Sequence, residues 1–227
     1  MNPFVVSAAL FAMPSVADAA DHSSWYVGGS MGLPQVPAIT YKVDGVPDAG
    51  INDLHTGQYD VDLAVGKQFG RLRVELEAGY KSNRIHVYFA NIPIPVEAGV
   101  APPGKYTDAT GHLRVMSAML NANYDLFSLG RFTSYGGAGV GIANIRYDHF
   151  RIAGPKPWLN SSDTSPAWQL TGGTRFHLTR KLDLGVKFRY FTIESVKIRG
   201  EFVNDRYESN YRARSYLGTL HYNFGRN

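Results

Sequence analysis

An all-β barrel of eight antiparallel strands, running up and down through a membrane, is the fold this sequence predicts, and three observations carry the prediction. The first is strict alternation. In Leu72 to Lys81 the residues Leu72, Val74, Leu76, Ala78 and Tyr80 fall on one side of an extended strand, while Arg73, Glu75, Glu77, Gly79 and Lys81 fall on the other. The second is the rhythm of the connections, which run long, short, long, short, long, short, long between eight such stretches. The third is composition: 227 residues suit one domain, and 24 glycines, 14 tyrosines and 12 phenylalanines in regularly spaced strands are a barrel-like mixture.

The chain opens with Met1 to Ala19, which reads as an export signal. Phe4 to Ala12 is a short apolar run, and Ala17-Asp18-Ala19 is a small-x-small cleavage site, although no Lys or Arg precedes the run. Residues 20–227 then form a single barrel domain. The first strand, Trp25 to Leu33, puts Trp25, Val27, Gly29, Met31 and Leu33 on its apolar face. A loop containing the Asp44-Gly45 turn signal leads to the second, Gln58 to Phe69, where Tyr59, Val61, Leu63 and Val65 oppose Asp60, Asp62 and Gly66. Gly70-Arg71 turns tightly into the third strand, Leu72 to Lys81. The long loop that follows, Ser82 to Gly111, carries Pro93, Pro95, Pro102 and Pro103, which argue against regular structure over most of it.

The fourth strand, Arg114 to Tyr124, alternates Met116, Ala118, Leu120, Ala122 and Tyr124 with Ser117, Met119, Asn121 and Asn123. The fifth, Phe132 to Ala143, sets Tyr135, Gly137, Gly139 and Gly141 on one face, where the glycines leave room for a long neighbour such as Tyr135 or an arginine. A loop from Asn144 to Pro166 precedes the sixth, Ala167 to Leu178, and Thr179-Arg180-Lys181 turns into the seventh, Leu182 to Tyr190. The last loop, Phe191 to Ala213, leads to the eighth, Arg214 to Phe224.

A soluble barrel would show the same alternation with its faces reversed, so the polarity has to be argued separately. Two features favour lipid outside. Aromatics on the apolar face gather at two heights: Trp25, Tyr124, Phe132, Phe176, Tyr222 and Phe224 at one rim, Tyr59, Tyr80, Trp168, Tyr190 and Tyr216 at the other. The opposite face mixes Asp60, Asp62, Glu75, Glu77 and Asp183 with Arg73, Lys81, Arg175, Lys187 and Arg189, and a balanced set can pair inside a lumen only wide enough for side chains. A closed plug of salt bridges follows. Glu75 is expected to pair with an interior cation, so that its replacement by Leu would leave that cation unpaired.

The final strand carries the most specific signal, since Phe224, Tyr222, Leu220, Gly218 and Tyr216 count back in steps of two from near the C-terminus. Together with Met119 to Asp125, Tyr135 to Gly141 and Leu184 to Phe191, this resembles the small OmpA-type or opacity-type outer-membrane β-barrel proteins of Gram-negative bacteria. The resemblance spans Trp25 to Phe224. It implies short periplasmic turns, long extracellular loops, a final strand read by the outer-membrane assembly machinery, and a place in the bacterial outer membrane.

Chemistry is thinly signalled. The absence of cysteine removes thiolate metal sites and cysteine nucleophiles. Ser215 and His221 share a face but lie about 20 Å apart along a strand. His177 with Thr179 sits at the inner rim, and His86, His112 and His149 near the outer loops lack a metal spacing such as H-E-x-x-H. The net charge of +4 is spread along the chain, which excludes a nucleic-acid patch. No cofactor is expected. Arg146, Arg151 and Lys156 in the third long loop, with Lys197, Arg199, Arg206 and Arg212 in the fourth, are candidates for contact with lipopolysaccharide phosphates or a host or surface ligand.

The function read from these features is a non-enzymatic outer-membrane barrel with a structural or surface-interaction role, embedded in outer-membrane lipids. The rivals are a lipocalin-like soluble barrel holding an apolar ligand among Trp25, Leu63, Leu76 and Phe188, a narrow pore, and an envelope-lipid hydrolase.

Overall fold

The computed structural model describes residues 23–53, 56–96, 99–152, 159–199 and 206–224. The export segment expected over Met1 to Ala19 lies outside the described residues. The described residues contain no helix, and strands β1 to β14 follow in order: Ser23–Gln35, Ile39–Val43, Val46–Asp53, Thr56–Phe69, Leu72–Ile85, Val87–Ala90, Ile94–Val96, Gly99–Ala101, Gly104–Tyr106, Thr110–Leu129, Phe132–Arg151, Leu159–His177, Leu182–Arg199 and Arg206–Phe224.

Eight of them close a ring. β1, β4, β5, β10, β11, β12, β13 and β14 pair in that order, and β14 returns to β1 with Trp25 opposite Phe224. Every pairing is antiparallel, so the ring is an up-and-down barrel. The short turns lie where the sequence puts them: Gly70-Arg71 links β4 to β5, and residues 178–181 link β12 to β13. Gly70 and Gly130 take positive φ, 57° and 58°, which lets the chain reverse within two residues.

The long connections differ from expectation. The ring strands do not stop near the outer aromatics but run on, so that β11 reaches Arg151, β13 reaches Arg199 and β12 and β14 begin at Leu159 and Arg206. The first two loops are themselves folded: β2, β3, β6 and β9 extend the sheet outward from β14, and β7 pairs with β8 as a separate hairpin. Asp44-Gly45 is the two-residue turn of the β2–β3 hairpin, with φ of 46° and 90° as a primed turn needs. The prolines did not prevent this. Pro93 stands just before β7 and Pro102 and Pro103 between β8 and β9, at strand margins, while Pro95 sits in the middle of β7 opposite Val100, within a two-stranded hairpin where each strand is an edge that can tolerate a missing N–H.

Above the outer aromatics the strands keep their alternation and invert its polarity. On β10, Met116 and Leu120 face out and Asn121 and Asn123 face in, but further along Leu113 and Val115 are buried inside and Arg114 faces out. The same exchange occurs on β11, from exposed Val140 and Ile142 to buried Ile145 and Tyr147. It recurs on β14, from exposed Tyr216 and Leu220 to buried Tyr211 and Ala213. The outer part of the barrel therefore has a dry core, built from Tyr41, Tyr88, Tyr147, Phe150, Ile193, Ile198 and Tyr211 among others. Within it Tyr41 donates to the Tyr147 hydroxyl at 2.8 Å, Asn52 donates to Tyr41 at 2.6 Å and Asn83 to Tyr211 at 3.1 Å.

Candidate functional site: the barrel interior and its two ends

Below the dry core the lumen is charged. All ten residues of the expected network, Asp60, Asp62, Arg73, Glu75, Glu77, Lys81, Arg175, Asp183, Lys187 and Arg189, point inward and are buried. Period two on β4, β5, β12 and β13 forces this, because their alternate residues Leu63, Val65, Leu76, Leu170 and Val186 are exposed on the outside.

Arg189 is the hub. Its Nη2 lies 2.5 Å from Asp60, and its Nη1 lies 2.8 Å from Glu77 and 3.0 Å from Asp62. Lys187 bridges Asp62 at 3.0 Å and Glu77 at 3.3 Å, and Lys81 sits 3.4 Å from Asp60 and 4.2 Å over the Phe191 ring. Neutral donors complete the acceptors: Ser215 gives a hydrogen bond to Asp60 at 2.6 Å and Gln169 one to Glu77 at 3.0 Å. A buried ion cluster of this kind stays charged only where charge and hydrogen bonds are both matched.

Glu75 departs from expectation. It forms none of the ion pairs found among the described residues; instead Tyr26 donates to it at 2.7 Å, Asn123 at 3.1 Å and Asn121 at 3.2 Å. The glycines also serve differently. A Cβ on Gly137 or Gly139 would collide with the amide oxygens of Asn123 and Asn121, so these glycines admit the asparagines that hold Glu75. Tyr135 finds its space over Gly173 instead, with the Arg175 guanidinium stacked 4.8 Å from its ring. The neutral partners all lie on inward registers visible in the sequence, but only cross-barrel distances reveal which acceptor each one meets.

At the inner end a second tier closes the strands. Arg175 pairs with Asp125, and Arg73 donates to Gln68 at 3.0 Å, lies 3.6 Å from Asp183 and stacks 4.9 Å over Tyr26. Asp183 also meets Asn223 at 3.0 Å and His177 Nδ1 at 2.7 Å. The other ring nitrogen of His177 is 3.0 Å from the Thr133 hydroxyl, which lies 2.9 Å from that of Ser128. This Asp183–His177–Thr133–Ser128 chain borders a polar vestibule of about 460 Å³ that also touches Arg71, Arg73 and Gln68. The sequence pairing of His177 with Thr179 missed it, because the true partner is supplied by β11 across the sheet. Above the vestibule, a void of about 20 Å³ beside Arg73, Glu75 and His221 has room for about one water.

The girdle aromatics face outward in two belts. At the inner rim Trp25 opposes Phe224, Tyr222 packs 5.1 Å from Phe224, Phe132 lies 4.9 Å from Phe176, and Tyr124 opposes Leu72. At the outer rim Tyr59 pairs with Tyr80 at 5.8 Å, Trp168 with Tyr190 at 5.6 Å and Tyr216 with Phe188 at 5.4 Å.

The outer cations divide. Arg146, Arg151 and Lys197 are exposed on the outer stretches of β11 and β13, and Arg212 is exposed on β14. Arg199 opposes Arg206 in the ladder, while Lys156 lies outside the described residues. The structure brings Arg146 together not with Lys197 but with Arg114, its direct cross-strand partner, a residue the loop-based expectation omitted because it sits within a strand. His112 stands opposite Asp148, the neighbour of His149, but among the described residues no three of His, Asp and Glu gather at a point that could hold a metal ion.

Comparison with solved structures places this fold among small outer-membrane barrels. Neisserial surface protein A superposes with a TM-score of 0.54 at 16% identity, covering 90% of this chain and 100% of that one. The outer membrane protein OprG from Pseudomonas aeruginosa gives 0.57 at 16% identity, covering 89% and 95%. Among curated sequences, uncharacterized proteins of Brucella abortus and Brucella melitensis are 31% identical over 99 residues, 40% of this chain. The match covers 35% of those proteins, so this chain spans about a third of the length of the curated relatives it matches. The family model described as the outer membrane protein beta-barrel domain matches residues 4–224. With a closed eight-stranded ring, outward-facing aromatics and that match along nearly its whole length, the chain belongs to the outer membrane protein beta-barrel family of the bacterial outer membrane.

Proposed function

We propose that this outer-membrane barrel is non-conducting and non-enzymatic, and that it acts as a structural element of the envelope whose folded outer part makes surface contacts. One observation carries the reading: the lumen is filled twice over, by the ion network around Arg189 and, beyond it, by the dry tyrosine-rich core. Ions entering from the periplasmic vestibule would meet Arg73 and Arg175, then the matched network, then an apolar plug. In a planar bilayer of zwitterionic lipid the folded protein is expected to give no discrete conductance steps. Steps in the wild-type protein would replace this reading by that of a narrow pore.

A hydrolase is the second reading, favoured by the Asp183–His177–Thr133 chain, which has the base and orienting contacts that an activated hydroxyl needs. Thr133 is itself buried, and the vestibule opens toward the periplasm rather than the outer leaflet. The expected outcome is therefore that an active-site-directed fluorophosphonate leaves the protein unlabelled. Labelling of Thr133 or Ser128 that disappears in His177→Asn would establish the hydrolase. The same proposal takes β14, which ends at Phe224 in the inner belt, as the strand presented to the assembly machinery.

A further inference from the structure

The antiparallel register lays the outward residues of β5, β10 and β11 in rows. Tyr80, Met116 and Asn144 form one; the next outward is Ser82, Arg114 and Arg146; the next is Arg84, His112 and Asp148. Met116 belongs to the apolar belt and is 62% exposed on the lipid side. Two residues further along a tilted strand, the Arg114 and Arg146 side chains stand roughly 5 Å beyond the hydrocarbon, at headgroup height.

Their arrangement is unbalanced in charge. Arg114 and Arg146 are directly opposed in the ladder, a placement that like charges destabilise. The nearest acid is Asp148, 2.7 Å from Arg114 and 3.7 Å from Arg146, and it is shared with His149 at 3.4 Å. A β-bulge at this point, with His149 at a φ of 50°, gives the strand its extra residue: Asp148 and His149 both stand on the outer side before Phe150 turns back into the core, His149 exposed and Asp148 covered by its basic neighbours. One carboxylate thus serves both Arg114 and Arg146, whose side chains stay 45% and 58% exposed at the outer surface, and Arg84 stands exposed in the next row without sharing it. The chemistry that fits two forked donors at that height is a phosphate monoester.

We infer that this face of β5, β10 and β11 binds the sugar phosphates of the outer-leaflet glycolipid, lipid A, through Arg84, Arg114 and Arg146. The inference deepens the surface-contact part of the function proposed above by naming the partner. Zwitterionic bilayers contain no such phosphates, so the conductance result is independent of this one.

The protein would be refolded in phosphocholine nanodiscs containing either bisphosphorylated lipid A or the same lipid with its phosphates removed, and the lipid A retained per barrel measured. Wild type is expected to retain the phosphorylated form selectively, and Arg114→Gln with Arg146→Gln to weaken retention roughly thirty-fold. Arg131→Gln, at the opposite rim, should match wild type. Folding of each variant is read from its unboiled gel mobility. If the double variant does not fold, Arg84→Gln carries the test with a loss of roughly five-fold. Equal retention of both lipids, or a folded variant that retains lipid A like wild type, overturns the site. Displacement of lipid A by millimolar inorganic phosphate would show a free-anion site instead and overturn the lipid assignment.

Discussion

Glu75 shows what residue-level reading reaches and where it stops. Alternation along β5 makes it legible that Arg73, Glu75, Glu77 and Lys81 share a face. It does not tell whether a given carboxylate meets a cation or a set of amides, because that depends on side chains arriving from strands as distant in sequence as β1 and β10. Glu75 is held by Tyr26, Asn121 and Asn123, so the consequence of removing it is not a stranded cation. Glu75→Leu leaves three donors of that cage without their acceptor, each worth about 1–3 kcal/mol if left unsatisfied. Glu75→Gln keeps an acceptor oxygen of the same reach and is expected to cost well under half as much. Urea unfolding in lipid vesicles, followed by tryptophan fluorescence, ranks the two. If they prove equally destabilising, it is the charge of Glu75 rather than its hydrogen bonding that the cage requires.

At the scale of elements, the barrel's membrane half was legible and its outer half was not. The eight ring strands could be found because their faces differ, and because short turns such as Gly70-Arg71 punctuate one rim. The outer stretches were read as loops for two reasons: prolines drew attention to the margins of β7 to β9, and the apolar residues of β10, β11 and β14 change faces above the outer belt, so a pattern with one fixed inside breaks there. The outer core has a signature of its own. Burial pushes the Tyr147 hydroxyl up to about 12 and pushes those of Tyr41, Tyr88 and Tyr211 up as well. A tyrosine whose pKa is raised in the folded state stabilises the fold fully below the unfolded value of about 10, and that contribution is lost as pH climbs through the folded value. The outer core is expected to hold at pH 9 and open between about pH 10 and 12. Tyrosinate absorption near 295 nm should then rise late and steeply, whereas a gradual rise centred near pH 10 would mean that these tyrosines are wet.

At the scale of the whole molecule, one set of strands serves two solvents. Around the middle, Leu63, Leu76, Val140 and Val186 turn apolar surface to lipid while charge fills the centre; beyond the Tyr59 and Tyr216 belt, arginines take the outer surface and the centre is apolar. The soluble-barrel rival, with its reversed faces, thus describes the outer half, and the membrane reading describes the inner. Hydropathy averaged over either half would miss this, since each contains the same residue types with exchanged positions.

The inversion also acts as a depth stop. Sliding the barrel inward by one row would drag Arg114, Arg146 and Arg214 into hydrocarbon, and sliding it outward would lift Met116 and Tyr216 into water. A smooth apolar cylinder could answer a thicker or thinner bilayer by shifting or tilting, but this one has an edge on its outer side. The bilayer is left to deform around it. Refolding yield across vesicles of increasing acyl-chain length should therefore show a sharp optimum, and a yield indifferent to chain length would mean that the edge does not bind the barrel to one height.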